Sequence, residues 1–344
     1  MKILLVGGTF DNNKGKQSGI INKINNFISC DMYNGGNYQE LKNIINLVKE
    51  YEVVLWFPNV SNNLEKIRNV KEINPKVMLV TSKRNNAEYS KQEIIARALR
   101  DKANLLLEFD TREEKTNMRI SDPLGNEFYY GTDIGKMVTS MMQRIEFLKN
   151  IKRKPTFKSI ENTPEFKVDE SFLNIIRSFA NKFHSLINPM ETNRFLGNAS
   201  TRFRCERGFP SQRINNNMIL VSRRNIKKES IQSDEFVPVY ENDKELYYVG
   251  DYKPSVDTPV QFELYKNLPE VNYMIHSHVY VKDAPYTKNI MPCGALNEVE
   301  EIMEVINKNN FKSNFAINLI GHGCTIFARD LYYFNKIEFV ERKF

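Results

Sequence analysis

Three of the four histidines in this 344-residue chain have a spacing suited to metal binding. His276 and His278 lie in residues 271–280, whose apolar, β-branched and aromatic side chains are typical of a strand. Residues two apart in a strand project from the same face, so the two imidazoles would lie side by side. His322 follows another apolar run, between two glycines. The pattern predicts a three-nitrogen site with an open position, although a His-x-His pair is more often structural or exposed.

Several motifs around these histidines resemble the class II aldolase and adducin family. In chain order they are 196–202 (LGNASTR), 254–259 (PSVDTP), 265–272 (YKNLPEVN), 276–278 (HSH), 291–295 (MPCGA) with Glu298, and 321–323 (GHG). The resemblance covers about residues 170–335 and implies an α/β/α domain with a mainly antiparallel sheet. The family includes metal-dependent sugar-phosphate aldolases, ribulose-phosphate 4-epimerases and a sugar-phosphate dehydratase. No specific family is indicated for the N-terminal half.

The resemblance implies a metal site and a catalytic carboxylate. His276, His278 and His322 would bind a divalent ion, usually zinc in this family. Asp257 stands nineteen residues before the first of them, where the aldolases have a catalytic glutamate. An aspartate followed by Thr-Pro is more similar to the epimerase branch, where it lies in the metal shell. Beside a dication this carboxylate should stay ionised, which favours a ligand or base over an acid.

The resemblance also implies a substrate-binding set. Asn198 and Ser200, in the Gly-Asn-x-Ser motif, would hold the phosphate or hydroxyls of the substrate, and Ser255 would do so from the other side. The phosphate loop of the family corresponds here to Ser222, Arg223 and Arg224, so two arginines are expected to replace backbone amides as a phosphate clamp. Nine basic residues and one acid lie between positions 194 and 228. They predict a positive pocket wall; the alternative is a solvated basic face.

These residues predict a metal-dependent lyase or epimerase. It would act on a phosphorylated sugar, or a nucleotide-derived sugar, by aldol or retro-aldol chemistry through an enediolate. The alternative is a non-catalytic, adducin-like interaction or oligomerisation module with a nucleotide-binding N-terminal domain. Retention of all three histidines argues against that alternative. By family analogy we also expect a homo-oligomer.

Composition restricts the partners and the compartment. A net charge of +7 suits small anionic substrates, and no nucleic-acid motif is present, so we do not expect a nucleic-acid partner. No apolar run reaches the length of a membrane span, and the N-terminus lacks the features of a signal peptide. The four cysteines are scattered and form no Cys-x-x-Cys pair, which indicates free thiols. We therefore expect a cytoplasmic protein without a membrane partner.

The N-terminal half predicts a doubly wound parallel sheet, flavodoxin-like or Rossmann-like, over residues 1–151. Short apolar runs predict strands at 2–6, 52–57, 76–81 and 104–109. Helices are predicted at 18–27, 38–51, 63–73 and 90–102, then a hairpin at 118–131 and a helix to about 151. The glycine-rich loop 7–19 could bind a nucleotide or sugar phosphate, or be an ordinary connection, since it matches neither standard phosphate-loop motif. The polar loops 58–63 and 82–86 could line one cleft with it.

Residues 152–168 are polar, contain two prolines and predict a linker. The second domain would then cover residues 169–344. It is expected to begin with a helix at 171–186. Strands are predicted at 218–222, 236–240, 246–250, 273–279 and 315–320, with flanking helices at 260–266 and 298–307.

Overall fold

The computed structural model describes residues 1–60, 64, 67–85, 90–111, 116–161, 165–188, 192–203 and 218–342. The chain divides into two compact units, Met1–Asn150 and Ile151–Lys343. Within the described ranges, no helix combines the length and apolar character needed to cross a bilayer. Three cysteines are free, Cys30, Cys293 and Cys324; the fourth, Cys205, lies outside the described residues.

The N-terminal unit is built on one sheet. Its strands are β1 (Ile3–Asp11), β2 (Asp31–Asn37), β3 (Val53–Trp56), β4 (Asn59–Val60), β5 (Met78–Asn85), β6 (Leu105–Asp110), β7 (Asn117–Ser121) and β8 (Glu127–Gly131). The sheet order is β2-β1-β3-β5-β6-β7-β8, and the short β4 also pairs with β1. Strands β1 to β6 pair in parallel, whereas β7 and β8 are antiparallel additions. Leaving out β4, the parallel strands have the flavodoxin-like order.

Helices cover both faces of this sheet. They are α1 (Gly19–Asn25), α2 (Tyr38–Leu47), α3 (Val70–Ile73), α4 (Lys91–Asp101) and α5 (Ile134–Lys149). Alternate residues of β1 enter two cores: Leu5 packs with residues of α1 and α5, and Leu4 with residues of α2. Because both faces are buried, the central strands are continuous apolar runs, as the sequence indicates. The predicted α/β fold with a parallel sheet is confirmed.

Two N-terminal elements differ from the prediction. Strand β2 was not expected, because Asp31–Asn37 is mostly polar and its pairing with β1 is non-local. The helix predicted at 63–73 is represented only by α3; residues 61–63, 65 and 66 lie outside the described part of the chain. A capping box of Asn69 and Glu72 starts this short helix.

The C-terminal unit has a second eight-stranded sheet. Its strands are β9 (Thr156–Lys158), β10 (Asn198–Arg202), β11 (Met218–Ser222), β12 (Phe236–Asn242), β13 (Glu245–Tyr248), β14 (Tyr273–Ser277), β16 (Phe315–Leu319) and β17 (Gly323–Ala328), and β15 (Tyr280–Val281) pairs separately with β18 (Phe339–Val340). The order is β16-β17-β14-β10-β11-β12-β13-β9. Every pairing in it is antiparallel except that of β9 with β13.

Helices lie on both faces of this sheet as well. Helix α6 (Glu170–Phe183) packs on one face through Phe172, Ile176 and Phe183. Helices α7 (Thr258–Asn267) and α8 (Asn297–Asn309) pack on the other face, where Phe262 and Ile302 enter a second core. The predicted α/β/α domain with a mainly antiparallel sheet is confirmed.

The stretch predicted as a linker, residues 152–168, differs from that expectation. Its residues 156–158 form β9, which extends the sheet beside β13. Lys154 contacts Glu241 at 2.6 Å and Glu263 at 3.3 Å, so it is held by the same unit. The polar composition and the two prolines predicted a linker and not a strand. A strand at the edge of a sheet needs few apolar residues, so composition did not indicate it. Residues 162–164 of this stretch lie outside the described ranges.

Candidate metal centre

Strand β14 holds two of the three histidines. His276 is its fourth residue, opposite Asn198 of β10 and Thr325 of β17, and His278 follows the last residue of the strand. Both side chains are buried, with 3% and 2% of their surface exposed. Their ring centroids are 4.9 Å apart. The two imidazoles therefore lie together at the end of the strand, as predicted.

The third histidine, His322, lies in the turn between β16 and β17. Because β17 runs antiparallel to β14, its first residue, Gly323, lies beside the end of β14. A Cβ at Gly323 would overlap the backbone oxygen of Ser277, and its φ is +143°, so only glycine fits there. This close approach brings the His322 ring to centroid distances of 4.7 Å from His276 and 5.3 Å from His278.

Hydrogen bonds orient two of the three rings. The Nδ1 of His276 lies 2.9 Å from the backbone oxygen of Cys324, and the Nδ1 of His322 lies 3.1 Å from Oε1 of Glu298. Carbonyl and carboxylate oxygens accept hydrogen bonds, so each Nδ1 is the donor and Nε2 is the nitrogen of each ring that would face a metal ion. Outer partners of this kind commonly fix the tautomer of metal-binding histidines.

The facing nitrogens suit a shared cation. The Nε2 atoms of His276 and His278 are 3.2 Å apart. Two nitrogens at zinc–nitrogen distances, arranged tetrahedrally, would be about 3.3 Å apart. One ring nitrogen of each of His276, His278 and His322 lies within 4.8 Å of the others. The Nδ1 of His278 has no hydrogen-bond partner among the described residues. The donor set therefore fits a divalent metal ion.

Burial keeps two of the imidazoles in their metal-binding form. It lowers the pKa of His276 to about 4 and lowers the pKa of His278 well below its ordinary value, with His322 adding to both effects. Burial alone would also lower the pKa of His322, but Cys293 and Glu298 together raise that pKa well above its ordinary value. Metal binding requires the unprotonated imidazole, so an ion would displace the proton held on His322.

Asp257 lies at the edge of this cluster, immediately before α7. Its Oδ2 accepts a hydrogen bond from Nδ2 of Asn198 (2.9 Å), and its Oδ1 accepts one from the backbone N–H of Gly294 (2.8 Å). An oxygen of Asp257 lies within 4.8 Å of Sγ of Cys293 and of a ring nitrogen of His322. The carboxylate predicted as catalytic therefore stands next to the histidines in the fold.

Three residues that were predicted to contact the substrate are buried: Asn198, Ser200 and Ser222. Asn198 hydrogen-bonds Asp257 and Gln261. The hydroxyl of Ser200 lies 3.2 Å from that of Tyr265, and the hydroxyl of Ser222 accepts a bond from the N–H of Ala199 at 3.1 Å. These contacts are structural, because each group is already paired inside the protein. Substrate binding by these three residues stays a prediction that their contacts do not support.

The two arginines of the predicted clamp differ from each other. Arg223 donates to Glu235 at 2.6 Å and lies over the ring of Tyr252 at 4.4 Å. Arg224 is exposed as a residue, yet its guanidinium is partly desolvated, which lowers its pKa, while attraction to Asp257 opposes that effect. The guanidinium of Arg224 has no hydrogen-bond partner within the described ranges. Residues 204–217 of the basic stretch lie outside those ranges.

Ser255 lies near the same carboxylate. It is half-buried, and its hydroxyl accepts a bond of 3.4 Å from the backbone N–H of Asp257. The backbone N–H of Ser255 donates to the oxygen of Ser222, which ties this turn to the end of β11. Among the predicted substrate residues, Asn198 and Ser255 are hydrogen-bonded to Asp257, and Arg224 is attracted to its carboxylate.

Two residues at the site had no role assigned from sequence. Glu298, at the start of α8, is buried and accepts the hydrogen bond of His322. Cys293 places its Sγ 3.2 Å from Nε2 of His322. Both lie in or next to the 291–295 motif, which was the only signal available. No sequence spacing connects them to a histidine more than twenty residues later.

A sequence comparison finds a family model similar to part of the C-terminal unit. Residues 179–281 match the sequence profile of the Class II Aldolase and Adducin N-terminal domain. All of the matched residues lie in the C-terminal unit. No curated protein matched the sequence.

Solved structures show partial similarity to each unit. L-fuculose 1-phosphate aldolase is 14% identical, with a TM-score of 0.34, over 49% of this chain and 81% of that one. The N-terminal class II aldolase domain of a conserved protein from Thermoplasma acidophilum is 16% identical, with a TM-score of 0.30, over 52% and 94%. The DNA/pantothenate metabolism flavoprotein from Streptococcus pneumoniae is 12% identical, with a TM-score of 0.34, over 43% and 99%. These similarities concern the fold alone.

A separate cleft lies in the N-terminal unit, at the carboxyl ends of the parallel strands. Its volume is about 640 Å³, and the C-terminal parts of β1 and β5 line it together with residues 16–18 and 57–59. Four basic side chains face it: Lys16, Lys83, Arg84 and Arg97. The cleft lies at the β1/β3 switch point, where such sheets usually bind ligands.

In the glycine-rich loop 7–19, several backbone N–H groups are bonded within the protein, whereas those of a phosphate-binding loop point at the ligand. Its N–H groups at Thr9, Gly15 and Ser18 donate to Lys16, Gly36 and Asn34 within the unit. Those three donors are therefore unavailable to a phosphate. The basic side chains, rather than this part of the backbone, would contact an anionic ligand.

Proposed function

We propose that the C-terminal unit is a metal-dependent lyase or epimerase that acts on a small phosphorylated sugar or nucleotide-derived sugar. The observation that supports it is the convergence of three imidazoles beside a carboxylate. The match to the class II aldolase and adducin profile agrees with this reaction type. An adducin-like module would need no such donor set.

In the proposal, His276, His278 and His322 hold one divalent ion, with zinc favoured by the nitrogen donors. When bound, the ion would polarise the carbonyl and adjacent hydroxyl oxygens of the substrate and stabilise the charge of an enediolate. Glu298 and the backbone oxygen of Cys324 keep two of the rings in the correct tautomer.

Asp257 is the proposed base. Asn198 and the N–H of Gly294 hold both of its oxygens, so the carboxylate is fixed before substrate arrives. From the edge of the cluster it would take the proton that leaves a hydroxyl or carbon next to the substrate carbonyl. Return of that proton would complete aldol addition or epimerisation.

Elemental analysis tests the metal. We expect about one divalent ion per chain, lost in His276→Ala and in His322→Ala. His184→Gln is the matched control, because His184 is paired with Glu229 and lies outside the cluster. Full retention of the ion in both alanine variants would contradict the proposed centre.

Arg224 is the proposed phosphate-binding residue. Its guanidinium is close enough to Asp257 to interact with it, whereas Arg223 is already paired with Glu235. A charge-assisted bond to phosphate contributes roughly 1.5–3 kcal/mol. Arg224→Ala should therefore lower kcat/KM for a phosphorylated substrate by about ten- to a hundred-fold, with the ion retained.

Arg223→Ala serves as the comparison and should have a smaller effect on kcat/KM. The same substrate without its phosphate should be turned over equally poorly by Arg224→Ala and wild-type protein. If both substrates lose activity to the same extent in Arg224→Ala, Arg224 does not bind the phosphate.

For the N-terminal unit we propose binding of a phosphorylated small molecule, such as a nucleotide. The basic cleft at the strand ends supports this. Calorimetric titration with a panel of nucleoside triphosphates and with pyrophosphate should detect binding, weakened about ten- to a hundred-fold in Lys83→Ala. Lys76→Ala, an exposed lysine outside the cleft, is the control. The homo-oligomer implied by the family stays a prediction, which light scattering would test.

A further inference from the structure

The turn that carries His322 contains one flexible residue, Gly321. The backbone N–H of His322 donates to the oxygen of Leu319 at 2.9 Å and closes this turn, and Gly321 within it has a φ of +70°. Glycine has the least restricted backbone of all residues, so the chain could pivot at this position. A pivot would change the direction of the His322 side chain, which therefore depends on contacts from outside the turn.

Two side chains from outside the turn bond the two peptide groups that flank Gly321. The N–H of Gly321, in the peptide with Ile320, donates to the hydroxyl of Tyr280 at 3.0 Å. The carbonyl oxygen of Gly321, in the peptide with His322, accepts a hydrogen bond from Nη1 of Arg342. Tyr280 is 9% exposed and Arg342 is 5% exposed, so little water competes for either bond. Both peptide planes are therefore held.

Tyr280 and Arg342 come from one small sheet. Strands β15 and β18 pair antiparallel, with Tyr280 opposite Val340, and Arg342 follows two residues after Val340. At the other end, β15 begins two residues after His278. The two-stranded sheet therefore connects the end of β14, with its two histidines, to the turn that carries the third.

We propose that Tyr280 and Arg342 are positioning residues that hold His322 where it can bind the divalent ion, an inference that rests on the proposed three-histidine centre. Neither residue touches the ion or the substrate in this role. Each acts through the backbone of Gly321, and the position that the three histidines leave open stays available to the substrate.

The charge of Arg342 gives the proposal an alternative with the opposite sign. Burial and the other two histidines lower the pKa of His278, and Arg342 adds to that effect, so its charge acts on the cluster. A positive charge nearby opposes the binding of a cation. If this repulsion were the main effect of Arg342, its removal would tighten metal binding. Loss of the hydrogen bond to Gly321 would instead weaken it, and this second outcome is the one expected.

Chelator competition with zinc at pH 7 measures the effect on the whole chain. We expect Arg342→Ala and Tyr280→Phe each to weaken zinc binding by about tenfold, the lower end of what the outer partners of metal ligands contribute. Tyr280→Phe removes one hydroxyl and changes no charge. Lys282→Ala is the matched control: it removes an exposed ion pair of 2.9 Å with Glu338, between the same two segments, and should leave the affinity unchanged.

Circular dichroism of the metal-free variants separates positioning from stability. The affinity of a protein for its ligand falls with the fraction of molecules that are competent to bind. A variant that is less stable but still folded at the assay temperature therefore keeps its affinity, unless the site itself has changed. Weaker zinc binding by a folded variant supports the proposal.

The outcomes distinguish this inference from the metal centre itself. Zinc binding by Arg342→Ala that is as tight as in wild type, or tighter, would overturn the inference and leave the three-histidine centre standing. Unchanged binding by Tyr280→Phe would do so too. A wild-type protein that binds no zinc would overturn the centre and the inference together. Should Arg342→Ala not fold, Tyr280→Phe decides, because the proposal requires both residues.

Discussion

Replacing Lys228 by methionine should stabilise the C-terminal unit at neutral pH. Lys228 is only 1% exposed, and its ammonium group has one described hydrogen bond, 3.2 Å to the backbone oxygen of Ile226. It also lies 5.9 Å from the ring of Phe183, within the core beneath α6. A charge with so few partners is costly to bury, and methionine has a similar length without the charge.

The magnitude follows from the pKa. Burial lowers the pKa of Lys228 from 10.5 to about 8, even though attraction to Glu229 and Glu235 opposes that effect. Each whole step of pKa corresponds to about 1.4 kcal/mol, so the buried charge costs on the order of 3 kcal/mol below pH 8. The variant loses a hydrogen bond worth about 1 kcal/mol. A net gain on the order of 2 kcal/mol in the free energy of unfolding is expected at pH 7.

The lowered pKa of Lys228 also determines whether the free energy of unfolding rises or falls with pH. Between pH 8 and 10.5 the unfolded chain binds a proton at Lys228 that the folded chain does not, so wild-type stability rises with pH in that window. The methionine variant lacks this contribution. Its advantage should therefore shrink from pH 7 to pH 10.

Urea unfolding at pH 7 and pH 10, followed by far-ultraviolet circular dichroism, measures this difference. The only tryptophan, Trp56, lies in the N-terminal unit, so its fluorescence reports that unit separately and should not change. Lys227→Met removes a neighbouring exposed charge and should stay within about 0.5 kcal/mol of wild type. If Lys228→Met is no more stable at pH 7, or keeps the same advantage at pH 10, the argument from a buried charge is wrong.

Three further outcomes test the site. Glu298→Gln should weaken metal binding by about 10- to 100-fold in a chelator competition, because the partner of His322 loses its charge; unchanged affinity would mean that Glu298 does not hold that ring. Gly323→Ala should reduce the metal content, since a Cβ there collides with the backbone of Ser277 and displaces the adjacent His322. Ser200→Ala should cost about 1–2 kcal/mol in unfolding experiments yet leave kcat/KM within about twofold, and a large loss of activity would restore its predicted role in substrate binding.

Local patterns in the sequence accounted for part of the fold and of the site. The strand pattern around His276 and His278 predicted that their rings lie together, because residues two apart in a strand share a face, and the structure has His276 in β14 and His278 directly after it. The apolar runs of the N-terminal half predicted its parallel sheet, because a strand that is buried on both faces needs apolar residues at consecutive positions. The order of motifs between residues 170 and 335 indicated the family whose sequence profile matches residues 179–281.

Strands that form only because they pair with a distant segment could not be predicted from local sequence patterns. The polar strand β2 and the edge strand β9 exist because of what they pair with, not because of their composition. Similarly, the type of residue could not separate Arg223 from Arg224. Only the fold brings Glu235 against the first and Asp257 near the second.

The tertiary structure also decided what completes the histidine site. The sequence contains His322, Glu298 and Cys293 as separate signals, and nothing local determines that they meet. They meet because β17 pairs antiparallel with β14 and because α8 begins beside that junction. The order of strands in a sheet depends on packing between segments that are distant in sequence. The side-chain period along a single segment therefore does not predict it.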